Sequence, residues 1–486
     1  MAKMIQHCSI ICGAWSCKRG AMLWRWIAVL LLYSAGPLYA SDTEYFISAT
    51  AHAGTGNFAP FWFHQQTRGR ILPAPSSVTF DGGFRRDYRD VPGKLELGYG
   101  ADGVVQLADD TAALFFNELY AKARYWWVEV KAGVQTLPTG FEHPTLSAGG
   151  ILFSRNARSI PAVTIGFDQY RAVPFTNELV CVQGALMHGW FTRHYGFKNM
   201  MLHHKYLQVL IGKNLPVRLH ARLDHAAQWG GTTGLPGYFN QPSDWKDYIS
   251  IFMGRSGGDN ATIADQSNVL GNHLIGQSLK LEAGIGDWTM AGYWQIVLED
   301  MPLRVMGFTL NYPDGLWGFT LTNRGESIVK SIVYEYLNTT DQSGPFHDMD
   351  GIVYGGADNY FEGYYPEGWA YVGNTIGTPL ITSPFYRLSE DKHTYNNRVR
   401  AHHFAIEGGK QRWDYRLLAT FTRNFGFNNF HIPNPPVVKQ RYYLLDLHYR
   451  PKFNPQLSLG AALGIDRGKL TGNSYGLQLS ARYNFD

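Results

Sequence analysis

The chain has 486 residues, 45% hydrophobic and 15% aromatic, with 43 basic and 39 acidic side chains and four cysteines. Mean hydropathy is −0.22, and beyond the first forty residues no apolar stretch reaches the roughly 20 residues of a membrane-spanning helix, which excludes a helical membrane protein. Residues 1–40 carry Lys3, Lys18, Arg19 and Arg25 and no acid, so the chain without them has a formal charge of zero instead of +4, which excludes a polyanion such as nucleic acid as a partner attracted by net charge.

The first predicted element is a secretory leader. Arg25 precedes the apolar run "WIAVLLLYSAG" and then "PLYA", the order of a charged region, an apolar region and a small-residue cleavage site. Cleavage is expected after Ala40, with Met22 as an alternative translation start and residues 41–486 as one domain. Cys8, Cys12 and Cys17 leave with the leader. Cys181 then stands alone, so neither a disulfide framework nor a thiolate metal site can form within one chain. It reads as a small buried or lipid-facing residue.

From there the sequence alternates. In "WVEVKAGV", Trp127, Glu129 and Lys131 fall on one face, with Val128, Val130 and Ala132 on the other. The last strand, "SYGLQLSARYNFD", places Tyr475, Leu477, Leu479, Ala481, Tyr483 and Phe485 opposite Ser474, Gln478, Ser480, Arg482 and Asn484. A strand has a side-chain period of two, so each such segment has an apolar and a polar face. The pattern predicts eighteen strands, near 44–53, 77–84, 94–105, 112–122, 124–134, 162–168, 179–190, 205–212, 216–225, 276–285, 288–298, 316–323, 328–337, 397–408, 412–424, 440–449, 455–465 and 474–485. Tyr125, Trp126, Trp288, Trp413, Tyr443 and Tyr449 lie near strand ends, where interfacial aromatic girdles belong. Even-numbered connections such as 213–215, 286–287, 324–327 and 408–411 are mostly short, while the odd-numbered 226–275 and 338–396 are long. A soluble sandwich has no reason to sort its loops by rim. The expected fold is therefore all-β: a transmembrane antiparallel barrel of about 18 strands in the outer membrane of a Gram-negative bacterium, bathed in outer-membrane lipid, with periplasmic termini and long extracellular loops.

Several stretches then carry a resemblance: "SAGGILFSRNARSIPAVTIG", "HHKYLQVLIG", "LDHAAQWGG", "NVLGNHL", "IVYEYLNTTDQSGPFHD" and "YGGADNYFEGYY". In this order, from about Phe46 to the C-terminus, they resemble the Wzi family of capsule-assembly outer-membrane proteins. The resemblance implies an eighteen-stranded barrel, a number the strand count above draws on, whose lumen is largely plugged by its outer loops and which helps attach capsular or other surface polysaccharide. The implied partners are that polysaccharide, outer-membrane lipid and the barrel-assembly machinery.

Chemistry is sparse. His203–His204 and His402–His403 are adjacent on strands, so each pair points to opposite faces and chelates no single ion. "HDMDG", with Asp348 and Asp350, lacks the further acids of an EF-hand loop. No catalytic motif, phosphate-cradling glycine loop, metal or cofactor is indicated. The long connection 338–396 differs, because its aromatics lie among amides and acids. Tyr360, Tyr364, Tyr365 and Trp369 form a candidate platform for sugar rings, supported by Asp358, Asn359 and Glu362, since flat apolar faces stack and polar neighbours bond hydroxyls. The same aromatics could instead pack a plug across a wide lumen. His225 and Trp229 in "LDHAAQWGG" are the next candidate surface. The alternatives to a polysaccharide-holding barrel are a porin for small solutes and an outer-membrane hydrolase.

Overall fold

The computed structural model describes residues 43–89, 93–109, 111–167, 169–192, 194–299, 313–325, 327–342, 347–349, 352–354, 359–386, 396–427 and 436–485. The expected leader, Met22, Asp350 and Asp358 lie outside these residues. The wall contains β1 (Thr43–Gly54), β2 (Ser76–Arg86), β3 (Leu95–Ala108), β4 (Thr111–Tyr125), β5 (Val128–Gln135), β6 (Ile160–Gly166), β7 (Val180–Phe191), β8 (Met200–Ile211) and β9 (Val217–Trp229). It continues with β10 (Asn272–Ile285), β11 (Trp288–Glu299), β12 (Gly315–Asn323), β13 (Val329–Asn338), β14 (Val399–Lys410), β15 (Trp413–Asn424), β16 (Val438–Tyr449), β17 (Leu457–Gly468) and β18 (Ser474–Phe485). Successive strands pair antiparallel, and β1 meets β18 from Tyr45 opposite Phe485 to Gly54 opposite Gly476. The result is a closed 18-strand barrel, as expected. Closure pairs the edge groups that an open sheet would leave bare, which only a barrel achieves with strands in hydrocarbon.

The alternation sorts the two faces. On β18, Tyr475, Leu477 and Leu479 are exposed outward, and the outer surface continues through Leu95, Leu97, Leu114, Phe116, Val163, Ile165, Leu281, Phe404, Leu417 and Leu463. Trp126, Trp413 and Tyr125 crown the short-turn rim, with Trp413 packed on Tyr449 at 4.7 Å between ring centres. Inward positions such as Gln440, Tyr442, Thr420, Thr422 and His403 are buried, so the lumen is filled. Cys181 is also buried.

Loop lengths mostly sort by rim, with 109–110 and 167–179 as exceptions. Connections 126–127, 286–287 and 411–412 are short, whereas 55–75, 136–159, 230–271 and 339–398 all leave from the opposite end. In three of the long ones, 55–75, 136–159 and the described residues of 339–398, the chain folds inward. A four-residue helix, α1 (Phe61–His64), is buried at every position, and it seats on a notch where Gly464 of β17 faces Gly476 of β18. A Cβ on Gly464 would fall 2.5 Å from Pro60 Cβ, and one on Gly476 2.9 Å from Phe63 Cε2. Only glycine lets α1 approach the wall backbone this closely. The fourth long loop, 230–271, carries a nine-residue helix, α2 (Trp245–Met253), which the alternation-based reading did not anticipate.

Candidate functional site

The lumen is closed by an apolar core fed from several chain segments: Phe61, Trp62 and Phe63; Leu146, Ile151, Leu152 and Phe153; Tyr360, Phe361, Tyr365, Trp369, Ile376, Leu380 and Ile381, all against inward wall residues. Buried backbone groups of such irregular segments need partners, and wall side chains supply them. Glu335 of β13 accepts from Ser147 Oγ at 2.5 Å, Ala148 N at 2.7 Å and Tyr293 OH at 2.5 Å. Gln295 of β11 accepts from Ile151 N at 3.1 Å and donates to Glu142 at 2.7 Å. His403 Nε2 lies 2.7 Å from the Leu146 carbonyl; a carbonyl only accepts, so this ring nitrogen donates and Nδ1 faces Thr420 Oγ1 at 2.8 Å. Asp466 of β17 accepts from Phe61 N at 2.8 Å, and the Glu299 carboxylate accepts from Phe361 N.

Within this arrangement the expected sugar platform is placed differently from an open surface. Tyr360 and Trp369 are 0% exposed and Tyr365 is 2% exposed. Trp369 Nε1 donates to Leu152 O at 2.8 Å and Tyr365 OH to Gly230 O at 2.8 Å, so these rings are internal pillars of the plug. Their faces are already packed and offer none to a sugar. Asn359 and Glu362 are half-buried, with Asn359 Oδ1 accepting from Asn397 at 3.3 Å. Asp358 lies outside the described residues. Tyr364 alone of the four aromatics reaches the surface; its ring contacts Tyr238 at 5.5 Å and Phe197 at 6.1 Å. Its hydroxyl accepts from Phe239 N at 2.6 Å, and Tyr238 and Phe239 are themselves exposed. An aromatic rim of Tyr238, Phe239 and Tyr364 therefore caps the plug on the long-loop side.

His225 and Trp229 are buried too, but on the outer face of the wall, beneath the loop that carries α2. The two histidine pairs divide across the wall as adjacent strand positions must. His204 donates inward to Asp224 at 2.9 Å, which also accepts two bonds from Arg222, both at 2.7 Å. His203 points outward to Tyr248 and Phe252 of α2. In "HDMDG", His347–Met349 forms a small hairpin with Ile352–Tyr354.

Two features escaped sequence reading: the carboxylates that clasp the plug and the vestibule beneath it. A cavity of about 550 Å³ at the short-turn end is lined by Asp87, Tyr88, Lys122, Arg124, Glu129, Gln183 and Tyr206, among others. Tyr88 OH donates to Glu129 at 2.9 Å, the Lys122 and Arg124 cations lie 4.1 and 4.2 Å from the Tyr88 ring centre, and Lys122 pairs with Asp87. The signal for the plug was present in "FWFH" and "SAGGILF", which are too apolar for exposed connections.

Burial sets the ionisation of the plug loops. It pushes the Glu142 carboxyl up and drives the His64 imidazole down to about 3, with nearby His52 adding to the effect. Asp314, just before β12, is raised to about 6 by burial, although backbone N–H groups of Asp341 and Gln342 at 3.0 and 2.8 Å oppose the shift.

No family model and no curated protein matches the sequence. Among solved structures, the chain is similar to Wzi, a carbohydrate-binding outer-membrane β-barrel involved in group 1 capsule assembly in Escherichia coli. The TM-score is 0.58 at 14% identity, over 94% of this chain and 88% of that one. The two share a fold. The expectation drawn from motifs in "SAGGILFSRNARSIPAVTIG" and "YGGADNYFEGYY" thus holds for architecture. Pseudomonas aeruginosa OpdL (TM-score 0.48, 10% identity, 92% and 99% covered) and Acinetobacter baumannii OccAB4 (0.46, 9%, 93% and 100%) are also similar.

Proposed function

We propose that the protein is a non-enzymatic outer-membrane barrel that holds an exported polysaccharide at the cell surface, with its long loops extracellular and its termini periplasmic. The observation that carries this reading is the plug. A lumen crossed by buried Trp369, Tyr365, Phe61 and Ile151 and clasped by Glu335 suits a platform better than a conduit. The carbohydrate binding described for Wzi supports the same reading, as does the exposed rim of Tyr238, Phe239 and Tyr364. Ring stacking on such a rim contributes about 0.5–1.5 kcal/mol per contact if aromatic pairs are a guide. Several contacts along a polymer then add up, each remaining weak.

The test compares cell-bound with shed polysaccharide in strains carrying Tyr238→Ala, Phe239→Ala and Tyr364→Ala together, alongside the amount of barrel in the outer membrane. Polysaccharide is expected to shed while barrel level stays normal. Full retention at normal barrel level refutes the rim as the binding surface.

The vestibule of about 550 Å³ favours a second reading, a solute channel opened by plug movement. Planar-bilayer conductance separates the two. A holding barrel stays silent, whereas a channel shows steady unitary currents.

A further inference from the structure

The outer face of the wall is interrupted in one sector. Along the lower halves of β8, β9 and β10 the outward residues are Leu207, Ile211, Leu219 and Leu281, all exposed and apolar. Toward the long-loop rim the same outward rows carry His203, Lys205, His225 and His273. His225 Nε2 lies 2.7 Å from His273 Nδ1, and His203 stands 5.3 Å from His225 between ring centres. His203 Nε2 and His225 Nδ1 find no partner among the described residues. Facing hydrocarbon, such groups would cost several kcal/mol.

They do not face hydrocarbon, because α2 lies over them. Lys205 Nζ donates to the carbonyl of Phe252 in the last turn of the helix and sits 3.8 Å from the Phe252 ring centre. A cation at that end of a helix complements both the unpaired carbonyl and the dipole. Tyr248 packs on His203, His188 and Trp229, and Ile251 is buried with Trp229, Ala227 and Leu270. At the start of the helix, Asp244 N donates to Asp247 at 2.8 Å; at its end Gly254 takes the left-handed conformation, φ 61°. The helix is thus fixed at both ends and clamped through its middle.

What α2 turns away from the wall is a second apolar stripe. Trp245, Ile249 and Met253, spaced four residues apart and so on one face, are 73%, 44% and 45% exposed. Trp190, outward on β7, is exposed and packs on His188, which in turn contacts Tyr248 of the helix. We infer that α2 is an interfacial strap: it covers a polar patch in the wall and presents Trp245, Ile249 and Met253 to the outer leaflet of the bilayer. The occupant is lipid because the stripe continues the barrel's own lipid-facing belt, from Leu207 and Leu219 upward past Trp190. A tryptophan at the upper margin is where an amphipathic ring settles between headgroups and acyl chains.

The test uses the full-length barrel reconstituted in phospholipid vesicles, with Cys181→Ser and the three upstream cysteines also replaced. A nitroxide is placed singly at Trp245→Cys, Ile249→Cys, Met253→Cys, Lys246→Cys and Ser250→Cys. Trp245, Lys246, Ile249 and Met253 are exposed and Ser250 is half-buried, so each accommodates the label, and heat-modifiable gel mobility confirms that each barrel is folded. The ratio of collision with oxygen to collision with a water-soluble nickel chelate is expected to be severalfold higher at 245, 249 and 253 than at 246 and 250. Equal chelate access at all five positions overturns the inference. So does strong dipolar broadening between labels at 245, which would mean that a second copy of the chain covers the stripe.

Discussion

Glu335 and Ala148 are 187 residues apart in sequence, yet the wall carboxylate accepts the plug's backbone N–H at 2.7 Å. The same carboxylate holds Ser147 and Tyr293. Removing one acceptor therefore strands three donors in a site shut off from water. Glu335→Ala should cost about 3 kcal/mol, the scale of leaving buried donors unmade, and should free the 136–159 segment locally while the wall stays intact. The expected outcome is flickering conductance in planar bilayers where the parent protein is silent. A silent Glu335→Ala barrel would mean that the apolar core alone keeps the lumen shut.

The glycine notch makes a separate prediction. Gly464→Val and Gly476→Val each place branched carbons where Pro60 and Phe63 now sit, and overpacking of this kind costs about 1–3 kcal/mol. The 55–75 segment should become cleavable by protease added to vesicles, with the strands remaining protected. Gly284→Val, whose Cβ would meet nothing within 4 Å, is the control and should leave the cleavage pattern unchanged.

Lipid and lumen faces should respond unequally to charge. Leu479→Arg on the outer face of β18 should weaken folding into vesicles by about 2–4 kcal/mol near the midplane, while Gln478→Arg on the half-buried inner face should cost less. Urea titrations of heat-modifiable mobility report both values. Equal shifts would contradict the facing of β18.

Asp314 makes a contribution to the pH dependence of stability whose sign is definite, opposite to that of the buried His64 imidazole. Its folded carboxyl is raised from 3.8 to about 6, so between these values the folded protein binds the proton that the unfolded chain has released. This carboxyl's own contribution to stability is then greatest below about pH 4 and is lost as pH rises through about 6. A shift of this size corresponds to up to about 3 kcal/mol. Asp314→Asn keeps an amide oxygen for Asp341 and Gln342 and should flatten the slope over that window. The check is the thermal midpoint of both proteins from pH 4 to 7, where parallel curves would refute the assignment.

Most of the wall was legible because a strand between lipid and a filled lumen cannot hide its period of two. The exceptions are physically instructive. Reading by alternation started β8 at 205, ended β9 at 225 and started β10 at 276, whereas the strands begin at Met200, run to Trp229 and begin at Asn272. All three were cut at one rim, where His203, His225 and His273 replace outward apolar residues because α2 stands between them and lipid. The aromatic loop was harder. An aromatic that fills a lumen and one that receives a sugar are the same residue type amid the same polar neighbours. Nothing local to Tyr360 or Trp369 tells which partner completes it, and the deciding partners, Gln342 and Leu152, are distant or look unremarkable in sequence.

The bond from Phe61 N to Asp466, spanning 405 residues, bears on the order of assembly. The "FWFH" segment emerges early during synthesis, but its seat is built from β17 and β18, the last strands made. Until they arrive, three large apolar rings have no place to dock, and contacts of such long range are slow to form because the intervening chain must first be ordered. The nascent protein thus carries a sticky segment through its whole transit. Closure of β1 on β18 and seating of α1 then draw on the same few C-terminal residues, so the event that seals the cylinder also retires its chief aggregation hazard.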